Sequence, residues 1–409
     1  IGHLSSRVMQ NSILITTTTF PRWKNDSTPR FVYELSEKLA EKYNVIVLAP
    51  HHKGALKKEK LGKVDVRRFA YFKPESLQKL CYNGGIIPNM ESSFLAKIQM
   101  PLLVMAEFFA ASRIIKKEKI RLIHAHWILP QGLVGTFLKK LFKIPLIVTI
   151  HGSDVFPLKS NLFKKLHRFV VANADFITVG SEATKNELAS RIPGSLGNVN
   201  VMPMGVDSNI FKKIKIKKPK KYSKNKILLF VGRLSDQKGL QYLIDAMPGI
   251  VKEEPSAKLL IIGEGPYKSE LCKRMNENKV NGNVEFLGPL PSSEVSKYHN
   301  YADIFIFPSL SNKTGTEALG LALMEAMSSG CAVIGTNVGG IPSLIKNGYN
   351  GVLVKQKDSR ELSKSAIALL KNKKKAEAMG RNAAAFIQKN YSWDKVSSRF
   401  IKIYENALK

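Results

Sequence analysis

A chain of 409 residues is about twice the length at which one hydrophobic core stops growing, which excludes a peptide hormone or a lone small binding module and sets two domains as the expectation. With 44% hydrophobic and 9% aromatic residues, it is not a disordered chain. Its 64 Lys+Arg against 32 Asp+Glu give a formal +32, so nucleic acid and anionic membranes have to be weighed as partners.

From the N-terminus, short apolar runs rich in β-branched residues alternate with longer segments of helical period. The chain starts at Ile1 without the charged, apolar and cleavage regions of a signal peptide. Ile13–Thr16 and Val45–Ala49 are the first two strands expected, with the turn 20–31 between them. The excursion 51–100, carrying Arg67-Arg68, Tyr71-Phe72 and Cys81-Tyr82, reads as a surface loop and as the candidate acceptor- or membrane-facing region. Ile98–Ile115 is apolar but interrupted by Gln99, Pro101, Glu107 and Arg113, which fits an amphipathic core helix better than a membrane span.

Strands follow at Leu122–Ala125, Leu146–Ile150 and Phe176–Val179. The first runs into His124-Ala-His126-Trp127, whose two histidines share a strand face; metal binding there lacks a nearby carboxylate partner. The second runs into His151-Gly152-Ser153-Asp154, where an imidazole at a strand C-terminus can serve a hydroxyl or simply be a satisfied structural histidine. Residues 212–226 hold nine lysines and no acid, the composition of a solvated linker.

A second series of strands is expected at Ile227–Val231, Leu259–Ile262, Val284–Leu287, Ile304–Phe307 and Ala332–Gly335. Runs without polar alternation are buried on both faces, so two parallel sheets covered by helices follow. After Ile227–Val231 comes Gly232-Arg233-Leu-Ser-Asp-Gln-Lys238-Gly239, two cations at the mouth of a sheet, where a diphosphate fits; taken alone, a charged loop with glycine turns is the safer reading. After Ile304–Phe307 comes a polar loop in which Thr314 or Thr316 would cap a helix carrying Glu317 in its first turn and Glu325 two turns on. Eight residues at 100° each leave these carboxylates about 80° apart around such a helix, so a ligand held by both must extend along it. Taken alone, Glu317 does no more than complement the helix dipole, while Glu325 sits in Leu321-Ala-Leu-Met-Glu-Ala-Met, where a carboxylate needs a hydrogen-bonding partner. Ser392–Leu408 has helical spacing and is expected to return to the first domain.

The charge divides almost evenly, +15 over residues 1–210 and +17 over the rest, and 50 of the 64 basic residues are Lys. Lys is a diffuse point charge and Arg the base-reading residue, and neither zinc-finger spacing nor an RNP-like strand is present, so nucleic acid is not an expected partner. Cys81, Cys272 and Cys331 lie far apart and spell no disulfide framework, which fits a reducing, cytoplasmic setting.

Together, in this order, the G-R-L…K-G loop, the Glu-x7-Glu segment and H-G-x-D resemble the retaining GT-B glycosyltransferases of group 1, also called family 4, and the likeness covers nearly the whole chain. The segments Met204–Phe211 and Gly330–Pro342 are similar to that family as well. The resemblance implies two Rossmann-like domains facing across a cleft: residues 1–210 on the acceptor side, a linker 211–226, a nucleotide-sugar domain 227–390, and residues 391–409 crossing back as a helix. It implies Arg233 and Lys238 on the donor diphosphate, Glu325 on the ribose, Glu317 on the transferred sugar, and His151 on that sugar from the other domain. Gly232, Asp154 and the backbone of Ala318, Leu319, Gly320 and Leu321 would add donor contacts. Ala318 stands where family members often have Gly, and the turn 20–31 lacks the usual Gly-Gly.

The activity so implied is retaining transfer of a hexose-type sugar from a nucleotide diphosphate sugar to a glycan or lipid-linked acceptor. No bound cofactor or metal is expected, and no DxD triplet occurs in the chain. The rival readings are a nucleotide-sugar epimerase or sugar phosphorylase on the same fold and, more remotely, a basic nucleic-acid-binding protein. Part of the positive charge is expected to serve the anionic donor and part an anionic membrane face, giving a cytoplasmic protein peripheral to the inner side of the cell membrane.

Overall fold

The computed structural model describes residues 11–409 except 25, 27, 83, 195, 196, 313 and 314. Two compact units result: one built from the residues up to Val179, Lys185–Met202 and Val396–Lys409, the other from Gly180–Thr184 and Pro203–Lys395.

The first unit holds β1 (Ser12–Thr16), β2 (Asn44–Pro50), β3 (Lys58–Leu61), β4 (Val64–Phe69), β5 (Ile120–His126), β6 (Leu146–Ile150), β7 (Phe176–Val179) and β8 (Val199–Val201). They form one sheet in the order β3-β4-β2-β1-β5-β6-β7-β8, parallel except for β3 against β4. Leu14, Ile123 and Val148 share a core with Leu103, Ala111 and Ile115 of the Phe94–Glu118 helix.

The second unit holds β9 (Lys226–Val231), β10 (Ala257–Ile262), β11 (Val284–Gly288), β12 (Ile304–Phe307), β13 (Ala332–Thr336) and β14 (Val352–Val354) in an all-parallel sheet of order β11-β10-β9-β12-β13-β14. Every expected strand lies within one of these. Both units are therefore doubly wound, Rossmann-like α/β sheets. In each, the strand order reverses beside the first strand, between β1 and β5 and between β9 and β12, which opens a crevice at the strand C-termini.

Two boundaries differ from the sequence reading. Contacts place the joint at Met202/Pro203, upstream of 211–226, because the lysine run is tied down on the second unit. Asn300 binds Lys212 O and Ile214 N, Lys218 pairs with Asp303, and Lys221 pairs with Glu285. The glutamate-bearing helix starts at Leu321, not near Thr316. Gly320 at φ 89° cannot propagate a right-handed helix, so Glu317 lies in the preceding loop and the 80° relation to Glu325 does not exist; Thr314 is outside the described residues.

The last helix, Trp393–Ala407, belongs to the first unit from Val396 onward. Its buried Tyr404 bonds His124 Nδ1 at 2.6 Å, and Phe400 packs on the same imidazole with ring centroids 5.5 Å apart.

Candidate functional site

In the second unit, three loops that follow β9, β12 and β13 converge at the switch point. The β9 loop makes a short 3-10 turn over Asp236–Lys238 and turns back at Gly239, whose φ of 65° suits glycine; a Cβ there would lie 1.9 Å from Pro308 O. Leu310 N donates to Gln237 O at 2.7 Å, so the β9 and β12 loops are stapled backbone to backbone. That staple delivers Lys238 Nζ to 2.5 Å from Glu317 Oε2 and 5.2 Å from the Phe307 ring. Ser309 Oγ donates to the same carboxylate oxygen at 3.2 Å. From the β13 loop, Gly340 N donates to Glu317 O at 2.8 Å, and a Cβ at Gly339 (φ 54°) would meet that oxygen at 2.0 Å.

Lys238 and Glu317 keep 22% and 13% of their side chains exposed, so the ion pair is within reach of a ligand. A part-exposed pair contributes only about 1 kcal/mol. Arg233 is exposed on the same β9 loop, Gly232 is half-buried beside it, and Ala318, Leu319 and Gly320 lead into the Leu321–Ser328 helix. The first-turn N–H groups of that helix point back toward the loop. Glu325 is half-buried between Met324 and Ala326, both buried. Thus the structure gathers Arg233, Lys238 and Glu317 in neighbouring loops and puts Glu325 one turn into the helix that follows.

In the first unit, His151 follows β6 and its Nε2 lies 3.0 Å from His126 Nδ1 at the end of β5, the two rings stacked at 10°. One of those nitrogens carries the hydrogen, so Nδ1 of His151 is what remains to meet a ligand. Trp127 and Phe31 flank the ring, with centroids 4.6 and 5.0 Å from it. Burial lowers the pKa values of His151 and His126 well below the ordinary imidazole value, so both are neutral hydrogen-bonding groups at neutral pH. His124 shares the strand face with His126, rings 4.4 Å apart, but its nitrogens go to Tyr404 and Thr149. Among the described residues, no group of three or more His, Cys, Asp or Glu is arranged to hold a metal ion.

Asp154 is buried, and its carboxylate accepts from Ile128 N at 2.6 Å and His151 N at 3.2 Å. Burial outweighs these bonds and raises its pKa to about 6. Its place is therefore behind His151, clasping the β5 and β6 loops.

Two groups near the β1/β5 crevice escaped the sequence reading. In the turn after β1, Arg22 grips Asp26 through two hydrogen bonds of 2.9 and 2.7 Å, with Thr28 adding a third to the carboxylate. This clasp closes the turn where the Gly-Gly is missing; the only sequence signal was the i, i+4 spacing of opposite charges. Glu107 is fully buried on the Phe94–Glu118 helix, accepting from Gln131 Nε2 at 3.1 Å, with burial raising its pKa to about 8.

The family described as "Glycosyl transferases group 1" matches residues 211–386, and "Glycosyltransferase Family 4" matches residues 28–209. An uncharacterised glycosyltransferase of Methanocaldococcus jannaschii is 30% identical over 310 residues, covering 71% of this chain and 76% of that protein. Among solved structures, sucrose-phosphate synthase from Thermosynechococcus elongatus superposes with a TM-score of 0.77 at 22% identity, over 97% of this chain and 99% of that one. Anabaena HepE in complex with UDP-glucose gives 0.73 at 17% identity, over 97% and 99%. At those identities the two structures speak for the fold.

Proposed function

Because the chain belongs to the group 1 glycosyltransferase family, we propose that it moves a hexose-type sugar from a nucleoside diphosphate to an acceptor hydroxyl on a glycan or lipid-linked sugar, with retention at the anomeric carbon and without a divalent metal. The observation that carries this reading is the convergence of Lys238, Glu317 and the Leu321 helix start on the β9/β12 crevice. The UDP-glucose bound by the HepE structural neighbour supports a nucleotide-sugar donor.

In this reading the donor diphosphate takes Glu317's place as the partner of Lys238, with Arg233 beside it and the first-turn amides of the Leu321–Ser328 helix supporting the phosphates. Glu317, freed from the ammonium, accepts hydroxyls of the transferred sugar, and Glu325 takes the ribose. His151 offers Nδ1 to a sugar hydroxyl, and Asp154 and His126 position it. As the bond from the anomeric carbon to the phosphate oxygen breaks, the leaving diphosphate gains charge, which two preoriented cations and a helix N-terminus stabilise. The acceptor oxygen bonds to that carbon from the face the diphosphate leaves, and its proton passes to the departing phosphate oxygen. The three separated thiols fit a reducing, cytoplasmic setting.

The test is thermal stabilisation of the purified chain by a panel of nucleoside diphosphates and their sugars, followed by turnover with the best donor. Stabilisation by one nucleoside diphosphate series and transfer with retained configuration are expected. Isomerised donor sugar in the absence of any acceptor would overturn the transferase reading in favour of an epimerase.

A further inference from the structure

The Phe94–Glu118 helix buries one face, Ala96, Leu103, Ala111, Ile114 and Ile115, in the core of the first unit. Its other face leaves Phe94, Ile98, Leu102, Met105 and Phe109 exposed, the first at 77% and the last two at 55% each. At 100° per residue these five fall within about 80° of arc, along about 22 Å of helix. Exposed apolar side chains scattered singly are ordinary; a continuous row of five is a contact surface.

The row has neighbours of the same kind. The Leu133–Phe142 helix packs beside it and the Asn161–Asn173 helix beside that, exposing Phe137, Leu141 and Leu162. These three helices carry nine Lys and Arg and only two carboxylates, Glu107 and Glu118. Glu107 is buried and Glu118 is paired with Arg67 at 2.8 Å, so neither offsets the lysines, although Lys139 is paired with Asp175 at 2.6 Å. Lys116 continues the apolar row on the same arc, its ammonium 6.0 Å from the Phe142 ring, with Arg113 and Lys117 adjoining.

By length and composition this helix could cross a membrane, but its core face closes the sheet of the first unit, so in this fold it lies on a surface instead of spanning. We infer that the exposed row of this helix, with its flanking lysines, docks the protein onto the surface of an anionic lipid bilayer. The apolar side chains enter the boundary between headgroups and acyl chains, and the lysines keep their ammonium groups among the anionic headgroups. Nucleic acid would answer the charge but offers nothing to the apolar row. A second copy would answer the apolar row but bring two sets of like charges face to face. Docking is independent of the sugar-transfer reading, since it requires neither donor nor acceptor.

The test is co-sedimentation of the full chain with vesicles of equal parts phosphatidylglycerol and phosphatidylcholine, compared with phosphatidylcholine alone, at low and high salt. Binding to the anionic vesicles that weakens at least about 10-fold in high salt is expected, with little on the neutral ones. Met105→Glu/Phe109→Glu changes only side chains more than half exposed, so it should keep the melting temperature while weakening anionic-vesicle binding at least about 10-fold. Lys116→Glu/Lys117→Glu, which leaves the apolar row intact, should weaken it as well and serves if the first variant does not fold. Absence of wild-type binding to anionic vesicles at low salt overturns the inference. So does undiminished binding by the folded variants, or a sedimentation-velocity dimer that Met105→Glu/Phe109→Glu dissociates.

Discussion

Lys238 and Glu317 pair with each other at 2.5 Å, and this gives their substitutions opposite signatures. Lys238→Ala removes a preoriented cation from the leaving group and should lower turnover by about 10²-fold, the scale for losing one such stabiliser. Full activity in purified Lys238→Ala would sink the diphosphate role. Glu317→Gln keeps the shape of the side chain and its bond from Ser309 but releases the ammonium for an incoming anion. Free nucleoside diphosphate should therefore bind this variant at least as tightly as wild type by calorimetry, while transfer falls. Weaker nucleotide binding in Glu317→Gln would place the carboxylate on the nucleotide side. These candidates could be named from the sequence because the residues within G-R-x-x-x-x-K-G, and within Glu-x7-Glu, lie close to one another along the chain. What could not be read is that Lys238 and Glu317, 79 residues apart, form an ion pair, nor that Asp154 is consumed by two backbone amides.

At the level of elements, the parallel strands were legible because burial on both faces leaves an unbroken apolar run. The strands that were missed lack that signature. Lys58–Leu61 is a charged, partly exposed edge strand, Val64–Phe69 alternates buried Val64 and Val66 with half-buried Asp65 and Arg67, so the stretch 51–100 is not the surface loop expected, and Val199–Val201 and Val352–Val354 have three residues each. The helix start was misplaced for a specific reason: the Thr-Gly-Thr signal looks like a cap, whereas Gly320 decides the boundary through its backbone. Loop apposition is equally invisible in sequence, and Gly239 shows its weight. Gly239→Ala must place a Cβ against Pro308 O in a left-handed conformation, so the β9 and β12 loops have to part. Gly288 has a similar φ of 72° but nothing within 4 Å of a Cβ, which makes Gly288→Ala the matched control. The control should lose about 1 kcal/mol in urea denaturation and Gly239→Ala clearly more, along with nucleotide binding. Equal losses in the two variants would mean that the staple does not hold Lys238 in place.

Across the whole molecule, net charge is shared almost evenly but buried titratable groups are not. The first unit holds His124, His126 and His167 fully buried, together with Glu107 and Asp154; the second holds His299. Burial lowers His124 and the half-buried His151 to about 3 and His167 to about 4 and takes His126 well below its ordinary 6.5. A lowered imidazole pKa means that the unfolded chain binds the extra proton, so this stability is complete above about pH 6.5 and is lost as pH falls, by about 1.4 kcal/mol per unit for each group. Glu107, raised from 4.5 to about 8, and Asp154, raised from 3.8 to about 6, work in the other direction: the folded state holds their protons, and stability is lost as pH rises through those windows. Between about pH 5 and 6 the four imidazoles outnumber the two carboxyls, so stability climbs with pH; above about 6.5 only Glu107 still titrates, and stability declines toward 8. The first unit should accordingly be most stable near pH 6.5, and the second, with His299 alone at about 3, should respond only on the acid side. Urea midpoints at about pH 5, 6.5 and 8 measure this, the pH-sensitive transition reporting the first unit. Glu107→Gln keeps the contact with Gln131 without a titrating proton, so its midpoint should stay level between about pH 6.5 and 8 while the acid-side loss persists. An alkaline decline that survives in Glu107→Gln would show that another group carries it.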